Sequence, residues 1–178
     1  MTSQKLSTGE PFPDLNLKLI NGQTSQISKS SGEFTWKLVI VYRGKHCPLC
    51  TRYLVELNNI LDELNELDVD VIAVSADSKE KATAHLAEIN PRYDVAYGLT
   101  VEQMQKLGLY ISGPRDGMNV DAPFAEPGLF VINERNQLQI IDISNVPFAR
   151  PSLQSILNGM RFLREMTQSF PINGSYAV

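Results

Sequence analysis

The sequence predicts an α/β protein, with one central mixed β-sheet covered by helices on both faces. Three observations predict it. The apolar run Leu38-Val39-Ile40-Val41-Tyr42 leads at once into an amphipathic helical pattern and then a second apolar run, Asp70 to Ala76. That order is a strand, a helix and a parallel strand. Two later strand patterns, Leu129 to Asn133 and Leu138 to Ile143, flank Arg135-Asn136 as an antiparallel hairpin before a final helix. Near the start, Asn21-Gly22 is a strong hairpin signal.

The elements follow in order. Gly9-Glu10-Pro11-Phe12-Pro13 is an irregular lead-in. Leu15 to Ile20 and Thr24 to Ile27 form an N-terminal hairpin extension, and Ser28 to Glu33 is a polar loop. Lys37 to Tyr42 is the first core strand. In the helix behind it, Cys50, Leu54, Leu57, Leu61 and Leu64 recur at spacings of four and three, which makes one stripe. Glu56, Asn59, Glu63 and Glu66 fall mostly off it. Ser78 to Ile89 is a second helix, stopped by Asn90-Pro91, and a short helix over Val101 to Leu107 ends at Gly108. Ser112 to Pro127 is rich in Gly and Pro, and so long a loop inside a compact domain is usually functional. The last helix spans about Ser152 to Met166, and Thr167 to Val178 is a polar tail, frayed or draped over the surface. The expected order is β-β-β-α-β-α-α-β-β-α, in a single domain over 1–178 with its core at about 9–166.

The 178 residues suffice for one real core, and 43% hydrophobic with 20% charged residues argues against disorder. The net charge of −4, without any block of Lys and Arg, excludes nucleic acid and anionic membranes as expected partners. No apolar run approaches the roughly 18 residues of a membrane span, and Met1 to Ser7 has no apolar leader pattern. The expected compartment is the cytoplasm. Thiols are kept reduced there, so a Cys-x-x-Cys reads as catalytic or metal-binding.

The two cysteines of the chain stand together as Cys47-Pro48-Leu49-Cys50, between the first core strand and its helix. A helix N-terminus offers unpaired N–H groups and partial positive charge, both of which favour a thiolate. Pro48 suits the first helical turn, where its missing N–H costs nothing. Cys50 shares the apolar stripe and is expected to be shielded, with Cys47 at the exposed end. Exposed attacker and shielded resolver is the division a dithiol oxidoreductase uses. Two inert buried thiols are the plain alternative. Structural zinc needs four ligands, and Cys47, Cys50, His46 and His85 are all the Cys and His the chain offers. Cu(I) suits thiolates but lacks a clear third ligand. The expectation is no metal and no bound cofactor.

These residues resemble the thioredoxin-fold superfamily. More closely, they resemble its peroxiredoxin-like branch, the alkyl hydroperoxide reductase/thiol-specific antioxidant family. The similarity covers about Gly9 to Glu165. It rests on the Gly9/Pro13 lead-in, on Val39 to Cys50, on Val71-Ile72-Ala73-Val74-Ser75-Ala76-Asp77-Ser78, and on Pro127-Gly128-Leu129-Phe130-Val131-Ile132. The resemblance implies a thioredoxin-like fold and an antioxidant that reduces hydroperoxides at Cys47/Cys50, with thioredoxin, glutaredoxin or glutathione as reductant. It also allows a homodimer. The family carries a Thr or Ser three residues before its peroxide-reactive cysteine and an Arg at the start of the later strand. On that pattern Cys50 takes the peroxide-reactive position, Cys47 replaces the hydroxyl residue and Pro127 replaces the Arg. A Pro at that point resembles thioredoxin, where it is a cis-proline facing the dithiol. Two orders of reaction therefore stand open, Cys47 attacking first or Cys50 oxidised first and Cys47 condensing with it. Two other functions stand beside peroxide reduction. One is thioredoxin-like exchange with protein disulfides. The other is a non-catalytic redox sensor or metal-binding module.

Other residues are candidates by position. Arg43, Arg115 and Arg150 could supply a cation to the thiolate. His46 precedes the dithiol and could hydrogen-bond or tune Cys47. Glu126, before Pro127, would pair with an arginine. Asp77 ends its strand on the dithiol edge, where open sheets place their sites, and could equally cap the next helix. Phe124, Phe130 and Phe148 could wall a substrate pocket. His85 reads as a surface residue of the second helix.

Overall fold

A computed structural model describes residues 5–117, 119–166 and 170–176. Seven strands form one mixed sheet in the order β2-β1-β5-β4-β3-β8-β9. These are β1 (Asn16–Leu19), β2 (Thr24–Gln26), β3 (Trp36–Val41), β4 (Val69–Val74), β5 (Asp94–Tyr97), β8 (Gly128–Ile132) and β9 (Leu138–Ile143). The helices are α1 (Pro48–Glu66), α2 (Lys79–Ile89), α3 (Val101–Lys106) and α4 (Leu153–Glu165). Strands β3, β4 and β5 run parallel, and β8 and β9 continue the sheet antiparallel.

The sequence expectation omits β5. Asp94–Tyr97 is four residues long and lies between Pro91 and Gly98, so alone it resembles a loop. Its role is tertiary: it pairs parallel with β4 and antiparallel with β1. The N-terminal hairpin is thereby an edge of the main sheet rather than an appendage. The loop 112–127 also holds a small ladder, β6 (Ile111–Ser112) with β7 (Phe124–Ala125). Of the polar tail, 170–176 are described; Phe170 packs edge-on against Phe162 and Thr8 Oγ1 donates to the Asn173 carbonyl. The rest of that tail, and Met118 of the loop, lie outside the described residues.

Period-two alternation sends the strand side chains into two cores. Leu38, Ile40, Tyr42, Val71 and Leu129 face the α1 stripe and α4. Val39, Val41, Ile72, Val74 and Phe130 face Leu17, Leu19, Met104 and Leu107. The expected stripe of Cys50, Leu54, Leu57, Leu61 and Leu64 is buried throughout, joined by Tyr53 and Ile60. A fully buried leucine contributes about 1.5–3 kcal/mol relative to an exposed one, so this stripe fixes α1 on the sheet.

A buried ion pair joins two of the central strands. Lys37 and Asp70 are register partners on β3 and β4, and their side chains form an ion pair with only 1% and 10% of their surface exposed. Asp70 also accepts the Ser31 and Val71 backbone N–H groups.

Candidate active site

Strand β3 and helix α1 are joined by the loop 42–47 at the C-terminal edge of the parallel strands. Gly44 turns this loop at φ +124°. A Cβ there would meet Asp77 Oδ1 at 2.5 Å. The close approach lets the Lys45 N–H donate to Asp77 Oδ2 at 2.8 Å. Asp77 thus clamps the loop before the dithiol, while the neighbouring Ser78 caps α2. Burial raises the Asp77 pKa. Gly44→Ala is expected to destabilise the protein by about 1–3 kcal/mol, from a positive φ and a displaced carboxylate together. A thermal melt unchanged from wild type would contradict this.

Cys47 is the N-cap of α1, and its Sγ accepts the Cys50 N–H at 3.3 Å. Cys47 is 2% exposed and Cys50 0%, and both are free thiols. The expectation of an exposed Cys47 is corrected: an N-cap position is open in an isolated helix, but here Cys47 joins the buried core cluster and Arg43 lies against its sulfur. The two thiols nevertheless differ sharply. A hydrogen bond from the Cys50 thiol, the Cys50 N–H and the Arg43 guanidinium outweigh burial and lower the Cys47 pKa from 9.0 to about 6. Cys50 is pushed strongly upward, by that same thiol pairing and by burial.

Arg43 Nη1 lies 3.9 Å from Cys47 Sγ, and its Nε stands 3.1 Å from Glu126 Oε2. The Arg43 guanidinium also rests over the Phe124 ring at 4.9 Å. Glu126 is buried, and Ser112 donates to its other oxygen at 2.6 Å. A row of Ser112, Glu126, Arg43 and Cys47 therefore ends on the sulfur. Arg150 is placed differently. It donates to the Leu49 and Pro147 carbonyls at 3.0 and 2.9 Å and covers the Tyr53 ring at 4.2 Å. Its charge acts on Cys50 rather than Cys47. Arg115 is exposed in the long loop.

His46 packs edge-on against Phe124, with ring centroids 4.6 Å apart. Burial, then chiefly the charges of Arg43 and Lys81, lower its pKa to about 4. It is therefore neutral at pH 7. Pro127 is buried at the start of β8, where Gly128 pairs with Val41. No peptide bond among the described residues is cis, so the cis-proline of the thioredoxin pattern is not found. Phe130 belongs to the core beside Phe12, and Phe148 is 77% exposed. Of the three phenylalanines, Phe124 alone lies against Arg43 and His46.

The sequence reading of His85 is also corrected. It is 0% exposed, its Nε2 lies 2.8 Å from Thr51 Oγ1, and its ring faces Tyr42. The signal was present: Ala82, His85 and Ile89 follow at spacings of three and four on the buried face of α2. Among the described residues, no three His, Cys, Asp or Glu side chains are grouped as metal ligands. A cleft of about 1000 Å³ lies between α2 and the loop residues 119–124; it is lined by His46, the residue before Cys47, and by Asp77, Lys81, Val120 and Phe124.

A dithiol at the start of the first helix behind such a sheet, both thiols buried and their pKa values shifted in opposite directions, fits a thiol-dependent oxidoreductase. Residues 8–141 match the AhpC/TSA family, and the chain belongs to it. The chain is 26% identical to the putative peroxiredoxin sll0755 of Synechocystis over 95% of its own length and 84% of that protein. Peroxiredoxin tpx1 of Schizosaccharomyces pombe is 25% identical over 94% of the chain and 88% of its own. Among solved structures, a mutant of the Peroxiredoxin 6 of Arenicola marina superposes at TM-score 0.73 with 18% identity, covering 94% of this chain and 79% of that one. Peroxidoxin BcpB of Mycobacterium tuberculosis does so at 0.73 and 16%, covering 90% and 99%. The structural likeness bears on the fold, which is thioredoxin-like. The family gives the chain the role of a thiol-dependent peroxidase and antioxidant. No helix among the described residues is long and apolar enough to cross a membrane.

Proposed function

We propose that the chain reduces hydroperoxides with Cys47 as the attacking thiolate and Cys50 as the resolving thiol. The observation that carries this is the asymmetry of the pair. Cys47 caps α1 and is acidic, with a pKa of about 6, whereas Cys50 lies deeper and holds its proton. The family pattern alone favours the opposite order, since Cys50 stands at the peroxide-reactive position. A thiol pushed strongly upward is a poor nucleophile, because the thiolate is the reacting form.

The steps balance. The Cys47 thiolate attacks the terminal oxygen of ROOH, the O–O bond breaks, and RO⁻ takes a proton from water to leave as ROH. Cys47 is then a sulfenic acid. The Cys50 thiol condenses with it, releasing water and closing the Cys47–Cys50 disulfide. Two electrons from thioredoxin, glutaredoxin or glutathione restore the dithiol. The reading includes a single domain over 1–178 and a cytoplasmic setting, which keeps such a dithiol reduced between turnovers.

Arg43 and Glu126 support the thiolate in this reading. Arg43→Ala is expected to raise the Cys47 pKa. The lowered pKa makes the thiolate persist above about pH 6 and disappear as pH falls through that value. The wild-type rate of Cys47 oxidation should thus rise with pH, reach half its maximum near 6 and level off at higher pH. In Arg43→Ala the whole profile moves to higher pH. Thiolate absorbance, followed across pH, checks it; coincident profiles would remove Arg43 from the site.

Protein-disulfide exchange is the second reading, favoured by the same order of cysteines, since an acidic N-cap thiol above a buried partner also suits it. Reduced protein mixed with peroxide or with a protein disulfide separates the two. Fast oxidation by peroxide alone supports the peroxidase. A mixed disulfide trapped through Cys47 in Cys50→Ser, without peroxide reactivity, supports the exchanger.

A further inference from the structure

When Cys47 attacks, negative charge grows on the oxygen that departs. Donors aimed at such developing charge lower barriers substantially. The donors already described serve the sulfur. Cys50 N–H and Arg43 Nη1 both lie against Cys47 Sγ, and Arg43 Nε, though it makes no hydrogen bond, is held in the ion pair with Glu126. Arg150 has an unpartnered Nη1, but its other nitrogens tie it to Leu49 and Pro147, and its charge acts on Cys50.

His46 has the missing property. It is the residue next to Cys47, it lines the cleft, and its ring is held edge-on to Phe124. Its Nε2 is buried and finds no hydrogen-bond partner among the described residues. Buried polar atoms are normally paired, so an orphan on the residue adjoining a reacting one calls for a functional account. The ring is neutral at pH 7, so it leaves the thiolate's charge to Arg43.

We propose that His46 contacts the substrate, its Nε2–H donating a hydrogen bond to the peroxide oxygen that leaves as RO⁻. The inference rests on the Cys47-first reading. The neutral imidazole keeps its proton throughout; water in the cleft supplies the proton that converts RO⁻ to ROH. The Cys47 sulfur is oxidised and the peroxide reduced, as above. A leaving group that is a strong base needs this donor most. A carboxylate leaving group, as from a peracid, needs it least.

The test compares wild type with His46→Phe and His46→Ala, which lack the donor, and His46→Gln, which restores an N–H. Cys47 oxidation rates are measured with tert-butyl hydroperoxide and with peracetic acid, and the Cys47 titration is measured in parallel. The expected result is a loss of at least about tenfold with tert-butyl hydroperoxide in the Phe and Ala variants, a smaller loss with peracetic acid, partial recovery in Gln, and an unmoved Cys47 pKa. Equal losses with both oxidants, or a loss explained wholly by a shifted Cys47 pKa, would overturn it. Normal rates in the Phe and Ala variants remove the role of His46 alone. A wild-type protein whose Cys47 reacts with neither oxidant removes the underlying peroxidase reading instead.

Discussion

Cys47→Ser is expected to lose peroxide reduction by at least about 10³-fold, because it removes the nucleophile itself. Nothing nearby replaces it. Cys50 would survive in the variant, but buried at 0% exposure and with its pKa pushed upward it stays protonated at neutral pH. Its hydrogen-bond partner would now be a hydroxyl, which offers no charge to Arg43. Cys50→Ser should behave differently. It keeps an O–H that can donate to Cys47, so the thiolate persists and one equivalent of peroxide is consumed. Turnover then stalls at the sulfenic acid, since no second thiol closes the disulfide. Stopped-flow oxidation of the two variants, with thiol counting, measures both outcomes. Equal first-turnover rates in the two variants would contradict the division of labour.

Lys37→Met is expected to cost about 3–5 kcal/mol, the penalty for leaving a buried carboxylate without its cation. For a chain of this length that lowers Tm by roughly 10 °C. Asp70 keeps the Ser31 and Val71 N–H groups, which solvate its charge without neutralising it. Lys37→Met combined with Asp70→Leu should recover part of the loss, because apolar pairs replace buried ion pairs at little cost. Denaturant unfolding of the three variants checks the series. A single variant as stable as wild type would show that the pair is dispensable. The pair joins β3 to β4 at the sheet end far from the dithiol, so first-turnover kinetics should be unchanged while the fold holds.

The core strands and helices were legible because their periodicities are long and regular. The α1 stripe over five residues left no other reading of that segment. Strand β5 was not legible, because four residues with two buried positions carry too little pattern, and its two partner strands are distant in sequence. At the site, the dithiol, Arg43 and Glu126 could be named from their order along the chain. Which arginine meets Cys47 could not. Arg43 and Arg150 both end near the dithiol, and the choice depends on Glu126 holding one and the Leu49 carbonyl holding the other. His85 was misplaced because its polarity outweighed its spacing; a histidine paired to Thr51 can be buried without a charge. Gly44 gave no local signal at all. Its importance comes from Asp77, thirty-three residues later, whose carboxylate occupies the space a side chain would need.

The most direct measurement maps the first oxidised sulfur. Reduced Cys50→Ser and Cys47→Ser are each mixed with one equivalent of hydrogen peroxide at pH 7, trapped with a sulfenic-acid reagent and sequenced by mass. The expected result is a rapid adduct on Cys47 in Cys50→Ser and none of comparable rate on Cys50 in Cys47→Ser. A fast adduct on Cys50, with Cys47 untouched, would contradict the account and restore the order that the family pattern alone suggests.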